Sequence, residues 1–276
     1  MKKNKDLEKF YDKVYLKGER KHYTKLLFGK KQTLPIDEAA VAKSVSWKGK
    51  TVLDVGCGTG LMAFEAARRG AAKVVGIDFS PEAIRAAKET YRLPNLEYRV
   101  ENVARHKGRY DIIMSLGTLE HMDNPLAILR LLKRRLAKNG AIVITSPNWS
   151  NPRGYILQTL RFLLDAPITL ADLHYFTPLE FEDFAKKLKM NLTWKTFDHD
   201  WSQGEKLIKD FKRRLPNVLR DIKITGKEKE IAAFLQWIEK HILSLEKPTK
   251  RTGATGLYIF KKSHCDKNDN EKNSRI

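Results

Sequence analysis

The sequence predicts an α/β fold built on a doubly wound parallel sheet, and three observations carry that prediction. The run Thr51-Val-Leu-Asp-Val-Gly-Cys-Gly-Thr-Gly60 is a short apolar stretch that ends in three alternating glycines. A helix-like stretch follows it, and Val74-Val-Gly-Ile-Asp78 is a second apolar run that ends in an acid. Further runs of strand length then alternate with amphipathic stretches as far as Thr145. Strand, tight turn, helix and strand form the opening unit of a nucleotide-type site, and continued alternation argues helices on both faces of one sheet.

Residues 1–46 read as a basic N-terminal arm, helical in part, with Phe10, Tyr11, Tyr15, Tyr23 and Phe28 interleaved among lysines. Within it Leu34-Pro-Ile-Asp-Glu opens a helix, since proline is tolerated in a first turn. Residues 47–262 form the main domain. Strand one covers 51–55, a helix covers 60–69 up to Gly70, and strand two covers 73–77. Ser80-Pro-Glu caps the next helix, with proline at its first position. Strands follow at 96–100, from Tyr110, and at 141–145, with a helix over 125–137 that stops at Asn139-Gly140. Thr177-Pro-Leu-Glu180 is a capping box for a helix to about Leu188. Leu192–Phe197 and Gly256–Lys261 read as two more strands.

Two segments, 148–176 and 200–252, are longer than the sheet requires. The first carries an amphipathic helix in Tyr155-Ile-Leu-Gln-Thr-Leu-Arg-Phe-Leu-Leu164. The second carries helix-like stretches near 205–214 and 227–245, with Phe234, Leu235, Trp237 and Ile238 on an apolar side. These helices pack on the core or on a second subunit, which would make a homodimer. Residues 263–276 are polar and read as a disordered tail.

The chain has 276 residues and a net charge of +20. The excess is heaviest at the start, where residues 1–50 hold 14 Lys and Arg against 6 acids. Such a field attracts nucleic acid, anionic lipid head groups or phosphorylated substrates, or else only aids solubility. No apolar run reaches the length of a transmembrane span, and the first residues lack a secretory signal. With Cys57 and Cys265 the only cysteines, no disulfide framework is implied, so a cytoplasmic location is expected.

The glycine spacing narrows the ligand. A dinucleotide site wants G-x-G-x-x-G, but here Leu61 stands where the third glycine would fall. Asp54, two residues before the first glycine, would repel a pyrophosphate and suits a cationic group. Asp78 at the tip of strand two is placed for ribose hydroxyls. A nucleoside carrying positive charge therefore fits better than a diphosphate, which makes a NAD-dependent dehydrogenase the poorest reading.

The run VLDVGCGTG resembles the first motif of class I S-adenosylmethionine-dependent methyltransferases. The loop Ser115-Leu-Gly-Thr-Leu-Glu-His121 resembles their type 11 subgroup, which includes the quinone-biosynthesis O-methyltransferases and many small-molecule or glycan methyltransferases. The resemblance implies a Rossmann-like, seven-stranded sheet whose last strand is antiparallel, with S-adenosyl-L-methionine as cofactor. It implies a cofactor site made of Asp54, Gly56, Cys57, Gly58, Gly60, Asp78, Phe79, Asn102, Val103 and Leu116. Asn102 would take the adenine amino group through its amide oxygen, with Phe79 against the ring. In some of these enzymes an acid three residues before the glutamate helps bind a metal. That position is Gly117 here, so no metal is expected.

His121, and His174 in His174-Tyr-Phe-Thr-Pro178, are the candidate general bases, and Tyr175 would line the pocket. Each histidine reads equally well as a brace, His121 for its loop and His174 for the following helix. The acceptor expected is an oxygen of a small-molecule, lipid-linked or saccharide substrate, and the resemblance implies that the segments 148–176 and 200–252 recognise it. An RNA or protein methyltransferase using the basic arm, and a non-catalytic cofactor-binding partner subunit, remain as alternatives.

Overall fold

The structure, a computed structural model, describes residues 34–169, 171–243 and 247–262. The arm before residue 34 and the tail over 263–276 lie outside the described residues.

Seven strands form one sheet: β1 (Thr51–Val55), β2 (Lys73–Asp78), β3 (Leu96–Val100), β4 (Tyr110–Leu116), β5 (Leu136–Pro147), β6 (Met190–Phe197) and β7 (Thr255–Lys262). Their order is β3-β2-β1-β4-β5-β7-β6, and β7 runs antiparallel to both of its neighbours. The expected seven-stranded Rossmann-like sheet with an antiparallel last strand is therefore what the chain forms. The central strands are covered on both faces, so they are almost uninterrupted apolar runs. Leu53, Ile113, Met114 and Ile142 through Ile144 have no exposed surface.

One face carries α1 (Ile36–Ala42), α2 (Leu61–Arg68) and α3 (Pro81–Thr90). Val41, Ala63, Ala66, Ile84 and Ala87 pack there against Val52, Val74 and Met114. The other face carries α4 (Pro125–Arg134) and, after an intervening helix α5 (Pro152–Leu164), α6 (Pro178–Leu188). Phe181 of α6 stacks on Tyr258 of β7 with ring centres 3.6 Å apart. Local chemistry starts these helices as expected. The Ser80 hydroxyl accepts from the Ala83 N–H at 3.2 Å, and the Glu180 carboxylate closes the capping box on the Thr177 N–H at 2.8 Å.

Several element ends differ from the sequence expectation, among them the start of strand five, which is Leu136 rather than 141, so that Asn139-Gly140 lies inside the strand. The helix expected to run to 137 stops at Arg134, because Leu136 already pairs with Tyr110 in the sheet and is fully buried. The stretch expected over 205–214 continues to Asp221 as part of α8 (Glu205–Asp221), which runs through Pro216. Proline removes one backbone donor there, but Leu215 and Val218 are buried on either side of it and hold the helix in line.

The two long segments meet in a separate helical cap. Besides α5 and α8 it contains α7 (His199–Gln203) and α9 (Glu228–Ile238), followed by a π turn at Glu239–Leu243. Leu157, Leu207, Phe211, Leu215, Leu235 and Ile238 form its core. Phe234 and Trp237, expected on the same apolar side, are 39% and 52% exposed.

Candidate active site

The turn after β1 is fastened to the end of β2. The N–H groups of Gly56 and Cys57 both donate to the Ile77 carbonyl, at 2.8 and 3.0 Å. The Asp78 carboxylate accepts from the Gly58 N–H at 3.0 Å and from the Ser80 N–H at 2.9 Å. Gly56 has φ +71°, and a Cβ there would stand 2.5 Å from the Thr118 side chain, so this close approach of two loops requires glycine. Gly60 also has a positive φ, but what it makes room for is protein. Its carbonyl accepts from the Tyr98 hydroxyl at 2.9 Å, and a Cβ would strike that ring.

A cavity of about 660 Å³ opens over this turn, at the carboxyl ends of β1, β2, β4 and β5. That is the crevice in which open parallel sheets bind ligands. Its charged lining is one-sided. Asp54, Asp78 and Glu101 come from strand ends, Asp37 and Glu38 from α1, and Glu120 and Asp123 from the segment after β4. Among the described residues no lysine or arginine lines it, although the chain as a whole carries +20.

Burial pushes the Asp54 carboxyl up to about 8, and the charge of Asp78 adds to the shift. Burial likewise raises Glu120 to about 8. Glu38 also rises to about 8, through burial first and then its contact with Asp37. An incoming cation favours the ionised form of carboxyls in this state. The acid lining thus suits a nucleoside bearing a sulfonium and an ammonium group.

The residues expected at the site fall into two groups. Asp54, Gly56, Cys57, Gly58, Asp78, Phe79, Asn102, Val103, Leu116 and His121 all line the cavity. Gly60, His174 and Tyr175 do not. The Asn102 amide oxygen accepts from the Ala104 N–H at 2.8 Å, so it shapes its own loop. Tyr175 packs edge-on against Trp149 and lies under the Arg161 guanidinium.

The two histidines tie two segments together reciprocally. His121 Nδ1 lies 3.2 Å from the Ala171 carbonyl and 3.4 Å from Asp172 Oδ1. His174 Nε2 lies 2.9 Å from the Met122 carbonyl, and its ring stacks on Phe176. Between them the Glu120 carbonyl accepts from the N–H groups of Leu173 and His174. The strap 171–174 is in this way stitched to the turn that carries His121. Burial raises the Asp172 carboxyl, and the neighbouring His121 opposes that rise.

Some lining residues gave little signal in sequence. Asp37 and Glu38 look like ordinary acids in a first helical turn. Glu120, 2% exposed with Ser146 Oγ 3.3 Å from its carboxylate, was legible as a loop residue but not as a buried one.

A crevice at the carboxyl edge of a parallel sheet, a glycine turn and a ring of acids define a binding site for a cationic nucleoside. A family profile described as a methyltransferase domain matches residues 46–214. The chain belongs to that family, the class I S-adenosylmethionine-dependent methyltransferases, which S-adenosyl-L-methionine defines as cofactor.

Curated relatives include the ubiquinone biosynthesis O-methyltransferase of Neisseria meningitidis serogroup C, 36% identical over 116 residues. That match covers 40% of this chain and 48% of the relative. The corresponding enzyme of Xanthomonas campestris pv. campestris is 37% identical over 124 residues, covering 41% and 50%. The chain thus spans about half the length of the curated relatives it matches.

Among solved structures, a chain from the complex of the Haloferax volcanii Trm112 methyltransferase activator with a methyltransferase superposes with TM-score 0.60 at 16% identity. It covers 92% of this chain and 98% of that one. Magnesium protoporphyrin IX methyltransferase from Synechocystis, solved with bound SAH, gives 0.52 at 14% identity, covering 67% and 90%. At these identities the likeness shows the fold.

Proposed function

We propose that this protein transfers the methyl group of S-adenosyl-L-methionine to an oxygen of a small-molecule, lipid-linked or saccharide acceptor. The observation that carries the reading is the acid-lined cavity over the glycine turn, with His121 on its wall. The partial match to O-methyltransferases supports oxygen as the acceptor atom.

When bound, the cofactor supplies an activated methyl group on a sulfonium. Asp78 is assigned to the ribose hydroxyls because it stands at the carboxyl end of β2 on the cavity wall. Asp54 is assigned to the amino group, where a cation would restore its ionised form. Val103 and Asn102 are assigned to the adenine end and Leu116 to the methionine end, and all three line the cavity.

Most of the rate enhancement then comes from positioning and from excluding water. A hydroxyl acceptor must also lose its proton, and His121 is the group assigned to take it. With Nδ1–H donating to the Ala171 carbonyl, the neutral ring carries its lone pair on Nε2. Asp172 Oδ1 lies 3.4 Å from the same Nδ1, so both contacts fall on the side of the ring away from that lone pair.

Two measurements test this. Labelled methyl transfer into cell extract, separated into lipid, small-molecule, RNA and protein pools, should place label in the first two. Label confined to RNA or protein would overturn the acceptor class. His121→Ala should lower kcat by about 10²–10⁴-fold while cofactor affinity is kept. Full turnover in that variant would remove His121 as the base.

A further inference from the structure

Helix α5 ends in Phe162-Leu163-Leu164, and these side chains are 75%, 75% and 45% exposed. Tyr155, two turns earlier on the same helical face as Phe162, is 61% exposed. The opposite side of the helix supplies Leu157 to the cap core, with Ile156 and Leu160 packed against it. Single exposed apolar residues call for no explanation, but a continuous apolar helix end does.

The surroundings of this apolar end are cationic. The Arg161 guanidinium stacks over the Phe162 ring at 5.1 Å and the Tyr175 ring at 4.4 Å. The loop after α5 is fastened to α8 where Arg214 Nη1 donates to the Ile168 carbonyl at 3.0 Å. From there the outward face of α8 presents Lys206, Lys209, Lys212, Arg213 and Arg220, all exposed. Lys209, Arg213 and Arg220 face Glu205, Asp210 and Asp221 of the same helix and Lys206 faces Asp198 and Asp200, yet α8 keeps twice as many cations as acids. The same loop leads back into the strap 171–174, which carries the exposed Leu173 and bonds to Glu120 and His121 on the cavity wall.

We propose that the end of α5 and the outward face of α8 together dock on an anionic lipid bilayer, bringing the cavity to an acceptor held in the membrane. Phe162 and Leu163 enter the acyl boundary, and the lysines and arginines of α8 face the head groups. An apolar wedge beside a basic helix is the pairing that an anionic membrane surface rewards. Nucleic acid would use the cations and leave the wedge in water, and a second copy of this cationic face would repel the first. The delivery of acceptor rests on the methyl-transfer reading, whereas docking does not.

The test uses the full chain without substrate. Vesicles of phosphatidylglycerol and phosphatidylcholine should co-sediment it, and pure phosphatidylcholine vesicles should bind it at least about tenfold more weakly. Phe162→Glu with Leu163→Glu should lose at least about tenfold of the binding, and Lys209→Glu with Lys212→Glu should lose most of its salt sensitivity. Both pairs are exposed, and calorimetry with S-adenosylmethionine serves as the control that each variant is folded.

Three results would overturn the proposal. One is equal vesicle binding by wild type and both variants. Another is no vesicle binding at all together with salt-sensitive binding of RNA. The last is a wild-type dimer that Leu163→Glu converts to monomer. Failure of methyl transfer with docking intact would instead count against methyl transfer to an oxygen acceptor.

Discussion

At the carboxyl edge of β1 and β4, Asp54 and Glu120 are buried on a cavity wall to which the described residues bring no lysine or arginine, and both carboxyls are pushed up to about 8. In the helical cap Asp210 is equally hidden from solvent, yet its carboxyl is held below the ordinary range. Burial acts on it most strongly and upward, but Arg214 at 2.9 Å and Arg153 at 3.3 Å outweigh that effect. The cap acid has its cations within the chain. For the cavity acids we propose that a ligand supplies the cation, which would separate structural from functional burial in this molecule.

The largest effect should come from breaking the completed cluster. Asp210→Ala leaves Arg153 buried without its carboxylate, which costs about 3–5 kcal/mol in comparable cases. Denaturant unfolding should show that loss, and hydrogen exchange should accelerate first over 205–221. A loss below about 1 kcal/mol would show that the cluster does not hold the cap. Asp78→Ala should act on the other region. Removing a carboxylate bonded to ligand hydroxyls should weaken S-adenosylmethionine binding by about 10–100-fold in calorimetry. Unchanged affinity would mean that the nucleoside lies elsewhere.

Asp54→Asn sharpens the contrast because its two effects have opposite signs. The unfolded Asp54 ionises near 3.8, the folded one near 8. Between those values the unfolded state binds fewer protons, so this group makes the ligand-free protein less stable as pH rises from about 4 to 8. Asn removes that penalty, so at pH 8 the ligand-free variant should melt higher than wild type. Each kcal/mol recovered is worth about 2–4 °C in a domain of this size. The same variant should bind cofactor more weakly. In wild type, cofactor affinity should rise as pH approaches about 8, with proton release that calorimetry in two buffers detects. A variant that lost stability at pH 8 would show that Asp54 is held ionised without the ligand.

The cofactor half was readable in sequence because its signals are local. The glycine turn, Asp78, the Ser80 cap and the Thr177 capping box each act over a few residues. The cap was not readable in the same way. Asp210 sits in Lys209-Asp-Phe-Lys-Arg-Arg214 and looks like one more surface acid, and its partner Arg153 is 57 residues away. The pairing of His121 with Asp172 has the same character, as does the end of α4, fixed by the strand pairing of Leu136 with Tyr110. Phe234 and Trp237 fit a helical apolar stripe, but the cap core is filled by Leu235 and Ile238.

The smallest expected effect falls where the two regions join. His174 and His121 were equal as candidate bases in sequence, and the geometry makes them unequal. His174 Nε2–H is positioned to donate to the Met122 carbonyl at 2.9 Å, while the ring stacks on Phe176 with planes 10° apart. Its place is in the strap, one hydrogen bond from the loop that carries His121. His174→Ala should therefore cost about 1 kcal/mol of stability, as loss of one hydrogen bond does, and leave most of kcat. His174→Gln, which keeps an N–H donor, should recover part of that stability. A loss of turnover in His174→Ala as deep as in His121→Ala, with stability unchanged, would move the base from the cavity wall to the strap.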